Sequence, residues 1–276
     1  MTEPQARTAL AAQRQSVILE RINRDGAVRV SDLVRMLSVS DMTIRRDLEA
    51  MAGRGLVTKV HGGATAVQSG ATEEPGFEVN LGRMRREKRR IARTAAQLVQ
   101  PNSAVALSAG TTTWALAAEL ADVPGLTIVT NSMQVADVLH ANKRPDQTVV
   151  LTGGVRTPSD ALVGPVAVSA VRSLHLDVVF MGVHGIDPNA GITTPNLLEG
   201  ETNKALRDAG RRLVVLADHT KWGVVGLCQI AALADIDAWV VDETPDAVAT
   251  ELGERAPDLT ILLADDAGAD EADAGL

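Results

Sequence analysis

The chain has 276 residues, enough for two domains, and its 45% hydrophobic and 22% charged content is ordinary for a chain that buries a core. Two Phe, three Trp, no Tyr and the single Cys228 argue against aromatic platforms for single-stranded nucleic acid, and they exclude an internal disulfide framework or a cysteine-based zinc site. The net charge of −8 hides an asymmetry: residues 1–66 carry 10 Lys/Arg against 7 Asp/Glu, a net of +3, whereas residues 67–276 carry 17 against 28, a net of −11.

Residues 8–25 read as a helix with Val17, Ile18 and Ile22 on one face and Asp25-Gly26 as its stop. Val28–Val30 is a short extended piece. Ser31 reads as the N-cap of a second helix, with Leu33 and Leu37 spaced by four. Val39-Ser40 makes the turn, and Ser40 caps a third helix in which Ile44, Leu48 and Met51 face inward. Leu56–Val60 reads as a strand, His61-Gly62-Gly63 as a turn, and Ala64–Val67 as a return. Three helices and a hairpin make a winged helix-turn-helix over residues 1–67. Residues 68–80 are a linker by composition. For the basic stretch Arg83–Arg90, an interdomain surface, a phosphate contact and a solvated helix all stay open, the last being the simplest.

From residue 81 to 264 apolar runs alternate with helical segments. The expected strands are Ala104–Leu107, Leu126–Thr130, Thr148–Leu151, Leu176–Val183, Arg212–Ala217, Ala238–Val241 and Leu259–Leu263, which predicts an α/β domain with a mostly parallel sheet. Residues 265–276 read as a disordered acidic tail. The polar start of the chain has no signal-peptide pattern and no run of about 18 apolar residues occurs, so the expected compartment is cytoplasmic.

In the third helix, Arg45 and Arg46 point about 100° apart. One is placed to reach a base edge while the other grips a phosphate. Met42 and Thr43 lie at the end that enters the groove, Ser31 and Ser40 cap the two helices, and Lys59 and His61 sit on the wing. These eight residues form the expected DNA-facing set. A solvated face, with Arg45 paired to Glu49, is the alternative on spacing alone. In the second domain, Ser108-Ala109-Gly110-Thr111-Thr112-Thr113 joins a strand to a helix. Free N–H groups, hydroxyls and the helix dipole there suit an anion, although a Thr-capped helix start without ligand has the same pattern. Loops at Asn131, Gly153-Gly154, Asp187 and Asp218–Lys221 also follow strands. His184 and His219 lack metal-ligand spacing, and neither a metal nor a cofactor is expected.

The string Thr43-Ile44-Arg45-Arg46-Asp47-Leu48, with Gly55-Leu56 and His61-Gly62-Gly63-Ala64, resembles the N-terminal signature of DeoR-type (GlpR-like) bacterial regulators. Gly110-Thr111-Thr112, Thr130-Asn131-Ser132, Gly185-Ile186-Asp187, Glu199, Lys204 and Asp218…Lys221 resemble that family's sensor domain, which is similar in fold to ribose-5-phosphate isomerase and the CoA-transferase group. The resemblance implies operator DNA as partner, a sugar phosphate as effector, and repression of a carbohydrate operon relieved by that effector. By it, Gly110, Thr111 and Thr112 hold the phosphate, with Thr113, Asn131, Gly153 and Gly154 beside them. Lys204 and Lys221 add positive charge, and Asp187 and Glu199 take sugar hydroxyls. Where the family often has Asp, this chain has Ser108, which leaves the effector's identity open. A homodimer or tetramer is expected, because paired half-sites call for symmetric subunits. The rival expectation is a sugar-phosphate isomerase-like enzyme with a fused DNA-binding or docking domain, in which a Glu–Lys pair would move protons.

Overall fold

The structure, a computed structural model, describes residues 11, 14, 15, 17–19, 21, 22, 27–54, 56–60, 62–65, 72, 74, 76–142, 144–244 and 246–265, with Asp246 and Ala247 described by backbone only. Two compact units emerge. One comprises residues 1–69 and 78–84, the other residues 70–77 and 85–276. The stretch expected as a linker is thus divided, its described residues up to Phe77 grouping with the second unit. The expected acidic tail beyond Asp265 lies outside the described residues.

In the first unit, the described residues between Ala11 and Ile22 are helical. Ile18, Leu19 and Ile22 are buried, while Val17, expected inside, is 37% exposed. Strand β1 (Ala27–Arg29) leads directly into the helix Val30–Leu37. The extended residue ahead of that helix is Arg29, with no side-chain cap. The helix therefore starts one residue earlier than expected: Ser31 lies inside the first turn and is not the cap. Ser38, in the left-handed region at φ 52°, turns the chain toward the helix Asp41–Gly53. Ser40 does cap that helix, its Oγ accepting from Thr43 N–H at 3.2 Å. Strands β2 (Thr58–Val60) and β3 (Gly63–Thr65) form the wing, and β1 pairs with β3 to make a three-stranded antiparallel sheet in the order β1-β3-β2. The apolar stripe Ile44, Leu48 and Met51 packs against Ile18, Ile22, Leu33 and Ala64, each large side chain contributing about 1.5–3 kcal/mol.

The second unit contains β4 (Ala104–Leu107), β5 (Thr127–Thr130), β6 (Thr148–Leu151), β7 (Val155–Arg156), β8 (Leu162–Val163), β9 (Val178–Gly182), β10 (Gly185–Asp187), β11 (Gly191–Thr194), β12 (Leu213–Leu216), β13 (Cys228–Ala231), β14 (Ala238–Val241) and β15 (Thr260–Leu263). Seven of these form one parallel sheet in the order β15-β14-β12-β9-β4-β5-β6. Side chains alternate across it, as the strand period of two requires. Val105, Leu107, Val178, Phe180, Val214 and Leu216 pack with Ile91, Ala95, Leu116 and Val135 from the helices Arg85–Ala96, Thr111–Glu119 and Met133–Ala141. Ala106, Val179, Met181, Leu213 and Val215 pack with Val171, Leu206 and Leu252 from the helices Pro165–Val171, Leu197–Ala209 and Asp246–Arg255. A small antiparallel sheet, β10-β11-β13, adds Ile186, Ile192 and Ile230 to that second layer.

The strand order positions the candidate site. From β4 the chain steps to β5 and β6, then returns to β9 on the other flank of β4 and steps away through β12, β14 and β15. Connections leave β4 and β9 in opposite directions, which opens a crevice outside their carboxyl ends. Open α/β sheets bind ligands at such a switch point.

Candidate DNA interface and candidate effector crevice

On the helix Asp41–Gly53, Met42 is 73% exposed, Arg45 and Arg46 are exposed, and Thr43 is half-buried with its hydroxyl 2.8 Å from that of Ser40. Arg45 pairs with Asp41 one turn earlier, not with Glu49. Glu49 instead receives Lys59 of the wing, Nζ to Oε1 at 2.8 Å. Arg46 bonds to no side chain among the described residues. Such exposed pairs are worth about 0–1 kcal/mol, so exchanging their carboxylates for DNA phosphates costs little. Ser31 is exposed beside Asp32. His61 lies outside the described residues. Asp47, inside the same string, does something else. It is 4% exposed and accepts from Arg14 Nε at 2.5 Å and from Gln15 Nε2 at 3.0 Å, which fastens the first helix onto the third.

In the second unit the turn after β4 abuts the end of β9: Gly182 N–H donates to Ser108 Oγ at 3.0 Å. Gly110, at φ 155°, precedes the helix Thr111–Glu119, and a Cβ there would press on Thr113 Oγ1 at 3.3 Å. Thr113 is occupied, its hydroxyl donating to Gly110 O at 2.9 Å. The first N–H groups of this helix have no partner within it, and the hydroxyls of Thr111 and Thr112 bond to nothing among the described residues. Across the crevice, Asn131 accepts from Ala109 N–H at 2.9 Å and donates to Leu162 O at 3.3 Å. Ala109, Ala161 and Val163 pack together, so the β7–β8 hairpin belongs to the same group of loops.

The N-terminus of the helix Leu197–Ala209 closes another side. Asn196 caps it, accepting from Leu198 and Glu199 N–H, and Thr202 Oγ1 accepts from Gly164 N–H at 3.3 Å. Glu199 keeps some surface open to solvent, yet protein surrounds it closely. Burial, and then the charge of Glu74, push its carboxyl up to about 7, against the pull of a hydrogen bond from Thr194. Asp218, just after β12, behaves oppositely: burial disfavours its charge, but Lys221 and then Lys88 outweigh that and hold it below the ordinary carboxylate range.

The sequence matches the DeoR-like helix-turn-helix domain over residues 14–70 and the DeoR C-terminal sensor domain over residues 83–243. The chain belongs to the DeoR family. It is 36% identical to the HTH-type transcriptional regulator GolR of Listeria innocua, covering 83% of this chain and 90% of that protein. It is 31% identical to the glycerol-3-phosphate regulon repressor of Escherichia coli, covering 84% and 91%, and 33% identical to the L-fucose operon activator of Haemophilus influenzae, covering 84% and 93%. A solved ribose-5-phosphate isomerase in complex with phospho-erythronic acid aligns at 18% identity and a TM-score of 0.38 over 51% of this chain and 55% of that one. This DeoR-family chain is accordingly a DNA-binding transcriptional regulator with a sensor domain, and its relatives are regulators, not enzymes. No helix among the described residues is long and apolar enough to cross a membrane.

Within that DeoR-family frame, several of the expected ligand residues also hold the scaffold together. Ser108 and Asn131 are fully buried and spend their bonds on the frame. Gly154, at φ 127°, is needed because a Cβ would sit 2.6 Å from Val163 O, and Gly153 beside it is the turn into β7. Asp187 Oδ1 accepts from Asn189 and Ala190 N–H and shapes the β10–β11 turn. Lys204 pairs with Glu201 at 3.0 Å and lines a cavity of about 280 Å³ with Arg172, His175 and Arg207, none of which belongs to the loops around β4 and β9. Lys221 lies close enough to Asp218 to favour its charged form.

Two residues escaped the sequence reading. Lys88 is 7% exposed, although its run looks like a solvated face. Its spacing from Ile91, Ala92 and Ala95 places it on the apolar stripe of the helix, a signal that was available. Glu74 lies in what composition marked as linker, and nothing in its spacing points to the crevice. Arg90, in the same basic run, is half-buried and donates to the backbone of Asp242 and Ala264. His219, Asp242 and Glu243 bring possible ligand atoms within 4.8 Å. Asp242, however, already accepts from the His219 amide and lies 2.7 Å from its ring, the bonding of a side-chain clamp.

Proposed function

We propose that this protein represses a carbohydrate-metabolism operon as a homo-oligomer and releases its operator when a phosphorylated sugar or related metabolite binds at the switch point of the sensor domain. Support comes from one observation above all. The helix start Gly110–Thr112, with free amides and hydroxyls, sits in a crevice at the carboxyl ends of β4 and β9. Helix N-termini favour phosphate through those amides and the dipole. Lys88 and Lys221, grouped about Asp218 after β12, would supply cationic charge along the same sheet edge. The named functions of the glycerol-3-phosphate and fucose regulators agree with an effector of this kind. Arg45 and Arg46 would carry the output, Arg46 reading or gripping DNA directly and Arg45 after leaving Asp41. Thr43, Met42 and Lys59 would complete the surface.

The test is binding to the DNA upstream of the protein's own gene, followed by fluorescence anisotropy with and without a panel of pentose, hexose and polyol phosphates. Arg45→Ala with Arg46→Ala is expected to weaken binding by about 2–6 kcal/mol in total while the circular dichroism spectrum stays unchanged. Full affinity in the double variant would refute the assigned interface. A ligand that releases DNA from wild type but not from Thr112→Val would place the phosphate at the helix start. Light scattering checks the oligomer.

A further inference from the structure

Glu74 belongs to residues 70–77, the piece of chain that in sequence lies between the two parts of the first unit but groups with the second. Its carboxylate fills a built seat. Oε1 accepts from Ser159 Oγ at 2.8 Å and from Ser159 N–H at 3.3 Å, and Oε2 accepts from Asn196 Nδ2 at 2.7 Å. Those donors sit in the β7–β8 loop and at the capped N-terminus of the helix Leu197–Ala209, where negative charge is favoured. Three residues on, Phe77 is 5% exposed and packs edge-to-face on Trp114, with ring centroids 6.3 Å apart. Trp114 stands one turn into the helix whose start is the phosphate candidate. The chain is thus held at Glu74 by the β7–β8 loop and the start of the helix Leu197–Ala209, and at Phe77 by the helix whose start is the phosphate candidate.

An amide, a hydroxyl and a carboxamide converging on two carboxylate oxygens are what a phosphate group would take. Glu74 gains this seat at a cost, since Glu199 is close enough for the two carboxylates to repel. We infer that the seat formed by Ser159 and Asn196 is an oxyanion subsite of the effector crevice, and that Glu74 is a tethered surrogate that the effector's anionic group displaces, freeing residues 74–77 from the sensor. The inference rests on the effector crevice proposed above. It adds a residue the ligand must evict, and it gives the evicted piece of chain a place between the sensor and the DNA-binding unit in sequence. Exchange of one oxyanion for another conserves the three hydrogen bonds. The ligand's net gain then comes from its contacts elsewhere in the crevice.

The experiment uses the full chain and inorganic phosphate as probe, by isothermal titration. Glu74→Gln is expected to bind phosphate at least tenfold more tightly than wild type, and adding Ser159→Ala to it is expected to reverse the gain. Hydrogen exchange should show the amides of Glu74, Gly76 and Phe77 of wild type exchanging faster when phosphate is saturating, and Glu74→Gln showing the same faster exchange at positions 76 and 77 without phosphate. If phosphate binds wild type and Glu74→Gln equally, the surrogate role is overturned while the crevice stands. If neither protein binds phosphate at all, the crevice reading itself fails.

Discussion

The two units hold their chemistry in opposite ways. In the DNA-binding unit, the residues proposed to meet DNA stand outside the fold: Met42, Arg45 and Arg46 project from a helix whose other face, Ile44, Leu48 and Met51, is fully buried. In the sensor, the residues proposed to border the effector are also the frame. Ser108 joins β4 to β9, Asn131 joins the turn after β4 to the β7–β8 hairpin, and both border the crevice. Function and stability therefore separate by substitution in the first unit and stay entangled in the second.

The sharpest way to break that contrast is Asn131→Ala. It strands the Ala109 amide and the Leu162 carbonyl in a buried setting, each worth about 1–3 kcal/mol. A loss of about 2–5 kcal/mol in urea unfolding is expected, with loss of phosphate binding in the same variant. Intact binding at reduced stability would show the crevice to be less coupled to its frame. Asp47→Ala probes the other side at smaller scale. Removing a buried acceptor of two side-chain hydrogen bonds should cost about 2 kcal/mol, partly offset because Arg14 retains access to water. Below the lowered midpoint, DNA affinity should be unchanged. Arg46→Ala should do the reverse. If Asp47→Ala abolished binding in fully folded protein, the division between frame and surface inside the recognition string would be wrong.

The same contrast decides what could be read from the residues. All seven strands of the parallel sheet were legible as apolar runs: the five inner ones because a strand buried on both faces has little else to be, and the more exposed edge strands β6 and β15 through their Val, Ile, Leu and Thr content. Their order was not, since β9 lies beside β4 through contacts 70 or so residues apart that leave no local trace. The small sheet β10-β11-β13 was missed because its three- and four-residue strands, rich in Gly and Thr, look like loops. The recognition helix was legible because solvent and core impose a 3.6-residue period on its side chains. The polar loops of the sensor have no such period. Ser108, Asn131 and Asp187 could therefore be read as candidate ligand contacts but not as the framework partners they also are, since backbone amides and carbonyls in a tight turn need partners too. Lys88 shows the complementary error, a buried cation concealed in a charged run whose helical spacing nonetheless marked it.

Lys88→Met refines the sensor half of the comparison. With one cation gone, Asp218 should titrate nearer its ordinary value, and phosphate affinity should fall about tenfold, or about 1.4 kcal/mol. Midpoint stability should fall as well, because the buried Asp218 carboxylate loses one of its two compensating cations, although the methionine still fills the apolar stripe. An unchanged affinity would leave Lys221 alone as the cation of the site.

The smallest expected effect is a pH dependence that isolates Glu199. Its carboxyl ionises near 4.5 in an unfolded chain and at about 7 in the folded one, so the folded state holds a proton that the unfolded state has given up. The stabilisation linked to that proton is fully present below pH 4.5 and drains away as pH rises through 7. A shift of this size sets a ceiling of about 3 kcal/mol. Because Glu199 keeps some exposure to solvent, about 1 kcal/mol is expected. Glu199→Gln, neutral at every pH, should flatten stability between pH 4.5 and 7 relative to wild type. Glu74→Gln should move the midpoint of that slope to lower pH, because it removes the like charge while the burial remains. A slope that persists unchanged in Glu199→Gln would assign the titration to another group. A midpoint unmoved in Glu74→Gln would show that burial alone raises Glu199, and that the chain at residue 74 stands less close to the crevice in solution.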